Sequence, residues 1–130
     1  MERFLSNILF SLILVFSMPL FSLAGEIEDA NAVLVKTLEL SEGETLTSRP
    51  MSIVEIEKKE MQEISKCKDC PQIPFGIDNA DWEEFKDESN DGDVILYFLT
   101  NDTTGKNSYG REGYALIRGE KLVDILFKRE

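Results

Sequence analysis

The run VILYFL at residues 94–99 governs how the rest of the chain is read. It is too short for most helices and rich in β-branched and aromatic side chains, so it predicts a strand. Two more runs follow, YALI at 114–117 and LVDILF at 122–127, joined through Arg118-Gly119-Glu120-Lys121. Gly119 can adopt the positive φ that a tight hairpin needs. Three antiparallel strands are therefore expected. Val94, Ile95, Leu96 and Phe98 leave little polar alternation, which predicts burial of the central strand on both faces.

Working upstream, Asn79 is read as the cap of a short helix whose Trp82 and Phe85, three apart, share one side. Ser52 followed by Glu55 is a capping box just after Pro50, and predicts a second helix. Ile53, Ile56, Met61 and Ile64 are assigned to its apolar face, and Glu57, Lys58, Lys59, Glu60 and Glu63 to its polar one. Glu42-Gly43-Glu44 and Arg49-Pro50 read as turn signals around residues 45–48. The segment AVLVKTLEL at 32–40 reads as a strand, with a helical turn as the alternative, because Val33, Val35, Leu38 and Leu40 alternate imperfectly. The expected architecture is a small two-layer α+β domain: a three-stranded antiparallel sheet with one or two helices on one face.

The amino terminus reads as an export signal. Arg3 supplies a positive start, residues 8–21 form an almost unbroken apolar run, and Ser22-Leu23-Ala24 places small residues one and three positions before a cut. A signal peptide over 1–24 and one α+β domain over 25–130 are expected, with the product periplasmic or secreted and no stable membrane insertion after cleavage. Glu2 and Arg3 cancel, so the remaining chain keeps the full formal charge of -11. Such a surface repels nucleic acid and anionic membrane and favours a basic partner. The chain has no histidine, which removes Ser-His-Asp and Cys-His activation. Its 25 Asp and Glu allow many carboxylate pairings and favour none, so no catalytic residue is assigned.

Cys67-Lys68-Asp69-Cys70 is a CxxC. A thioredoxin-type pair sits at a helix start, where the dipole lowers a thiol pKa. Here the pair follows a helix, precedes Pro71 and encloses acidic Asp69, so a local structural disulfide is the preferred reading. Zinc would need two further ligands that neither His nor Cys supplies. Residues 87–94 (DESNDGDV) match the front of a calcium loop, but Phe98 stands where an EF-hand needs a bidentate Glu, and the segment reads as a polar turn. No metal and no cofactor are expected. The long polar connection at 100–110 suits a binding loop, with Gly110-Arg111-Glu112-Gly113 beside it as a strand entrance carrying a local ion pair. Trp82, Asn107, Tyr109 and Arg111 are the candidate partner-binding residues, since aromatic and Arg side chains dominate interface energetics.

Gly92-Asp93 leading into the strand that ends at Phe98, then GREGYALIR at 110–118, a turn, and Leu122-Val123 resemble small uncharacterised bacterial exported proteins with a GREGYALVR-type carboxy-terminal hairpin. The likeness spans about residues 82–127 and departs in the Thr-, Asn- and Lys-rich loop before Gly110. It implies a bacterial, periplasmic setting and carries no activity. Two functions follow as expectations. The first is a non-enzymatic binding protein, of inhibitor or immunity-like type, whose acidic surface engages a basic envelope protein. The second is a thiol-disulfide oxidoreductase using Cys67 and Cys70.

Overall fold

The computed structural model describes residues 25–102 and 110–128. Four antiparallel strands, β1 (Glu44–Pro50), β2 (Val94–Asp102), β3 (Glu112–Arg118) and β4 (Lys121–Phe127), lie side by side in that order. Helix α1 covers residues 25–38, α2 spans Ile53–Ile64 and α3 spans Asn79–Glu88 after a short 3-10 turn at Gly76–Asp78. The fold is α+β, with three helices where one or two were expected and a fourth strand.

Strand pairing decides which side chains meet. Tyr97 stands opposite Tyr114, and Tyr114 opposite Leu126, so these rows share a face. On that face Ile95, Tyr114 and Leu116 pack with Met51, Ile56 of α2, and Trp82 and Phe85 of α3. On the other, Leu96, Phe98, Ala115 and Ile117 pack with Ala30, Leu34 and Leu38 of α1. The sheet is thus the middle of three layers, not one of two. A strand apolar on both faces needs cover on both, and α1 supplies the second cover.

The expected strand at 32–40 is corrected to the last two turns of α1. Ala30, Leu34 and Leu38 recur every four residues and are all buried, whereas Val35 is exposed. The period of a helix outweighs the β-branched valines once the sheet offers a surface to bury. The helix stops at Glu39, whose φ of 46° lies in the left-handed region.

The fourth strand, β1, was hidden because its sequence ETLTSRP has one aliphatic residue. It is an edge strand held by its ladder to β2, with Glu44 opposite Asp102 and Pro50 opposite Leu96. Thr45 and Thr47 donate their hydroxyls to the carbonyls of Asn101 and Leu99. Pro50 is tolerated at the end of an edge strand, where no donor is required of it.

The capping box at α2 forms on both sides: the Glu55 amide donates to Ser52 Oγ, and the Ser52 amide to Glu55 Oε1. The apolar face of α2 differs from expectation at one turn. Glu60, four residues after buried Ile56, faces the sheet at 3% exposure, while Met61 turns outward. One step along a helix rotates the side chain by about 100°, which carries Met61 off the stripe. Asn79 is the first residue of α3 and not its cap, and its side-chain amide donates to the Pro74 carbonyl. Gly119 has φ 62° and turns the β3–β4 hairpin as expected.

Candidate functional site

Of the expected partner-binding residues, the two that are described, Trp82 and Arg111, lie apart. Trp82 is fully buried, 5.1 Å from Phe75 and 5.7 Å from Phe85 between ring centroids, with its indole N–H donated to Glu57 Oε2 at 3.1 Å. Arg111 shares the strand parity of Ala115 and Ile117, so it belongs to the α1 face, across the sheet from Trp82. Its guanidinium pairs with Glu44 of β1 rather than with Glu112, and stitches the start of β3 to β1 across β2. Asn107 and Tyr109 lie outside the described residues.

Cys67 and Cys70 lie at disulfide distance, with Cα atoms 5.4 Å apart, directly after α2. The Gln72 side-chain amide donates to the carbonyls of Ile64, Cys67 and Cys70, closing the helix end onto this loop. Beyond it Phe75, at φ 66°, folds back onto Trp82 and Tyr114. The pair therefore staples the segment that leads the chain over the aromatic core. Asp93 of the acidic turn is bound by both Arg118 Nε and Nη2, at 2.9 and 2.8 Å, and accepts the Asn90 amide. Its carboxyl is held low, first by the Arg118 bonds and then, against the cost of burial, by the Asn90 amide.

A polar network missed at the sequence level lies where α2 crosses β3 and β4. Tyr114 donates its hydroxyl to Glu60 Oε1 at 2.7 Å, and Tyr97 to Glu112 Oε1 at 2.9 Å. Lys128 meets Glu60 at 3.0 Å, Glu112 at 3.4 Å and Glu63. Burial works against the Lys128 charge, but bonds to Glu63 and Glu60 outweigh it and hold the ammonium protonated. Lys59 Nζ is buried with no hydrogen-bond partner among the described residues and sits 3.5 Å from the Tyr97 ring centroid. Burial, then repulsion from Lys128, lowers its pKa. The Lys59 ammonium is enclosed and burial favours the neutral phenols of Tyr97 and Tyr114, so the cluster fastens α2 to the sheet.

Tyr97 provides a test of that network. Burial and the Glu112 bond push its phenol up to about 12, against an ordinary value near ~10. A neutral phenol favoured by folding contributes stability that is complete below the unfolded value and lost as pH rises through the folded one. Stability should thus decline between about 10 and about 12. Alkaline unfolding followed by circular dichroism should show a shallower decline in Tyr97→Phe; an unchanged pH profile would contradict the buried bond.

One surface groove, of about 350 Å³, lies between α3 and β4. Asp78, Asp81, Glu84 and Glu88 line its α3 side and Asp124 its β4 side, with Phe127 at one end. The α3 acids follow helical spacing on the flank beside the stripe of Trp82 and Phe85. None of the five carboxylates makes an ion pair among the described residues; Lys86, Arg111 and Lys128 pair elsewhere, and Arg118 pairs with Asp93 while donating at 3.1 Å to the backbone carbonyl of Glu88. Glu88 is held above the ordinary carboxyl range, first by loss of hydration and then by the Asp124 carboxylate beside it.

Comparison with family models, curated proteins and solved structures returns no match. Among the described residues no helix is long and apolar enough to cross a membrane.

Proposed function

We propose that this chain is an exported, non-enzymatic binding protein, of inhibitor or immunity-like type, whose acidic face engages a basic partner. The observation that carries the reading is the groove between α3 and β4, where five carboxylates converge and none makes an ion pair among the described residues. Convergent charge of one sign raises the encounter rate with an opposite surface and is relieved when that surface arrives. The formal charge of -11 extends the same field over the molecule.

Export is supported by the sequence of the leader at 1–24. The expected product begins at Gly25, and an intact mass that retains Met1 would contradict export. The Cys67–Cys70 pair fits an oxidising compartment as a staple.

Binding of poly-lysine to the purified protein, measured by calorimetry, tests the acidic face. Affinity should fall at least about tenfold between roughly 0.05 and 0.5 M salt. Neutralising the wall with Asp81→Asn, Glu84→Gln and Glu88→Gln together should cause a loss of similar size at low salt while leaving the melting temperature in place. Salt-independent binding, or binding indifferent to the triple variant, would contradict the assignment.

A further inference from the structure

Building on that reading of the acidic face, we propose that the outer edge of β4 receives an extended basic segment of the partner as a fifth strand. The sheet order leaves β4 with no strand on its far side among the described residues. Its hydrogen-bond phase follows from the ladder. The Lys128 amide donates to the Glu112 carbonyl at 2.8 Å, so position 128 points its backbone groups toward β3, as does 126 two residues back. Ile125 and Phe127, which alternate with them, direct their amides and carbonyls outward.

One of these outward groups already has a stand-in. The Ile125 amide is held at 2.8 Å by Asp124 Oδ1, a side chain taking the place a neighbouring strand's carbonyl would fill. Asp124 also stands in the groove, so a cation arriving there draws the carboxylate off the amide and opens the edge at the same moment.

The two faces of such a strand would meet different surfaces. Side chains on the α2/α3 side enter the wall formed by Asp81, Glu84, Glu88 and Asp124. Those on the α1 side lie beside Phe127, which is 48% exposed and packs edge-on against Phe98 at 5.9 Å. The fitting sequence therefore alternates basic and apolar residues, with backbone bonds giving affinity and the alternation giving specificity. A second copy of this chain is a poor occupant, because pairing two β4 edges brings two acidic walls together. The β1 edge ends in Pro50, which has no amide to offer.

Three probes of equal charge separate strand addition from simple attraction: a peptide alternating lysine and valine, the same residues arranged in two blocks, and the alternating peptide interrupted by proline. Fluorescence anisotropy with the full protein should show the alternating peptide binding at least about tenfold more tightly than either control, a difference worth about 1.4 kcal/mol. Asp81→Lys with Glu84→Lys should abolish it. Equal affinity for all three peptides, with salt sensitivity retained, would overturn the edge proposal and leave the acidic-face reading standing. No salt-sensitive binding of any basic probe would remove both. A dimer in sedimentation with the β4 edge protected would assign the edge to a second copy and overturn the proposal.

Discussion

Trp82→Ala is expected to destabilise the protein by about 3–5 kcal/mol, enough to unfold much of the population of a chain with ordinary stability. The residue is fully buried and holds two loads at once. Its ring contacts Phe75, Phe85 and Tyr114, with centroids 5.1, 5.7 and 6.5 Å away, and truncation empties the centre of that cluster. Its indole N–H also supports Glu57, whose carboxyl is held low first by this bond, against burial, and then by Lys86. Trp82→Phe keeps most of the ring and removes the donor, and should cost about 1–2 kcal/mol beyond the smaller loss of packing. Urea denaturation measures both. A cost below about 1 kcal/mol for Trp82→Ala would return the side chain to the surface, where the sequence alone would place it.

A second large effect separates adjacent residues of α1. Leu34→Ala is expected to cost about 2–5 kcal/mol, because Leu34 is fully buried against the sheet face that carries Leu96 and Phe98. Val35→Ala should stay within about 0.5 kcal/mol, since that side chain is 41% exposed and alanine favours a helix. A strand over 32–40 would reverse the order, with Val33 and Val35 inward and Leu34 outward. Thermal melts of the two variants therefore report directly on the third layer.

The carboxy-terminal hairpin was legible in the sequence because each strand carries its own apolar signal and Gly119 marks the turn. The capping box was equally legible, since both partners lie within one turn and depend on nothing distant. What escaped depended on neighbours. Strand β1 is nearly apolar-free and exists through its pairing with β2, fifty residues or so away along the chain, which no local pattern announces. In α1 the valines argued locally for a strand, but burial against the sheet favoured the four-residue recurrence of Ala30, Leu34 and Leu38. Reading that segment from Ala30 rather than from Ala32 would have exposed the helical period.

The site divides along the same line. Aromatic and Arg side chains were expected outside, yet Trp82 completes the core and Arg111 ties β3 to β1 through Glu44. Glu60 was placed on the polar face of α2, but Tyr114 and Lys128 make burial of its carboxylate tolerable. The spacing of Asp81, Glu84 and Glu88 was visible on the flank of a predicted helix. That β4 runs beside this flank, adding Asp124 and an open edge, is a tertiary fact. The acidity of the chain is the basis for proposing a basic partner, and the arrangement of α3 against β4 is the basis for the docking place proposed for it.

Amide hydrogen exchange on the protein saturated with the alternating lysine–valine peptide tests this assignment most directly. Protection gained at the Ile125 and Phe127 amides, with little change along β1, is the predicted outcome. Unaltered exchange at both positions, while the peptide remains bound, would contradict strand addition at β4.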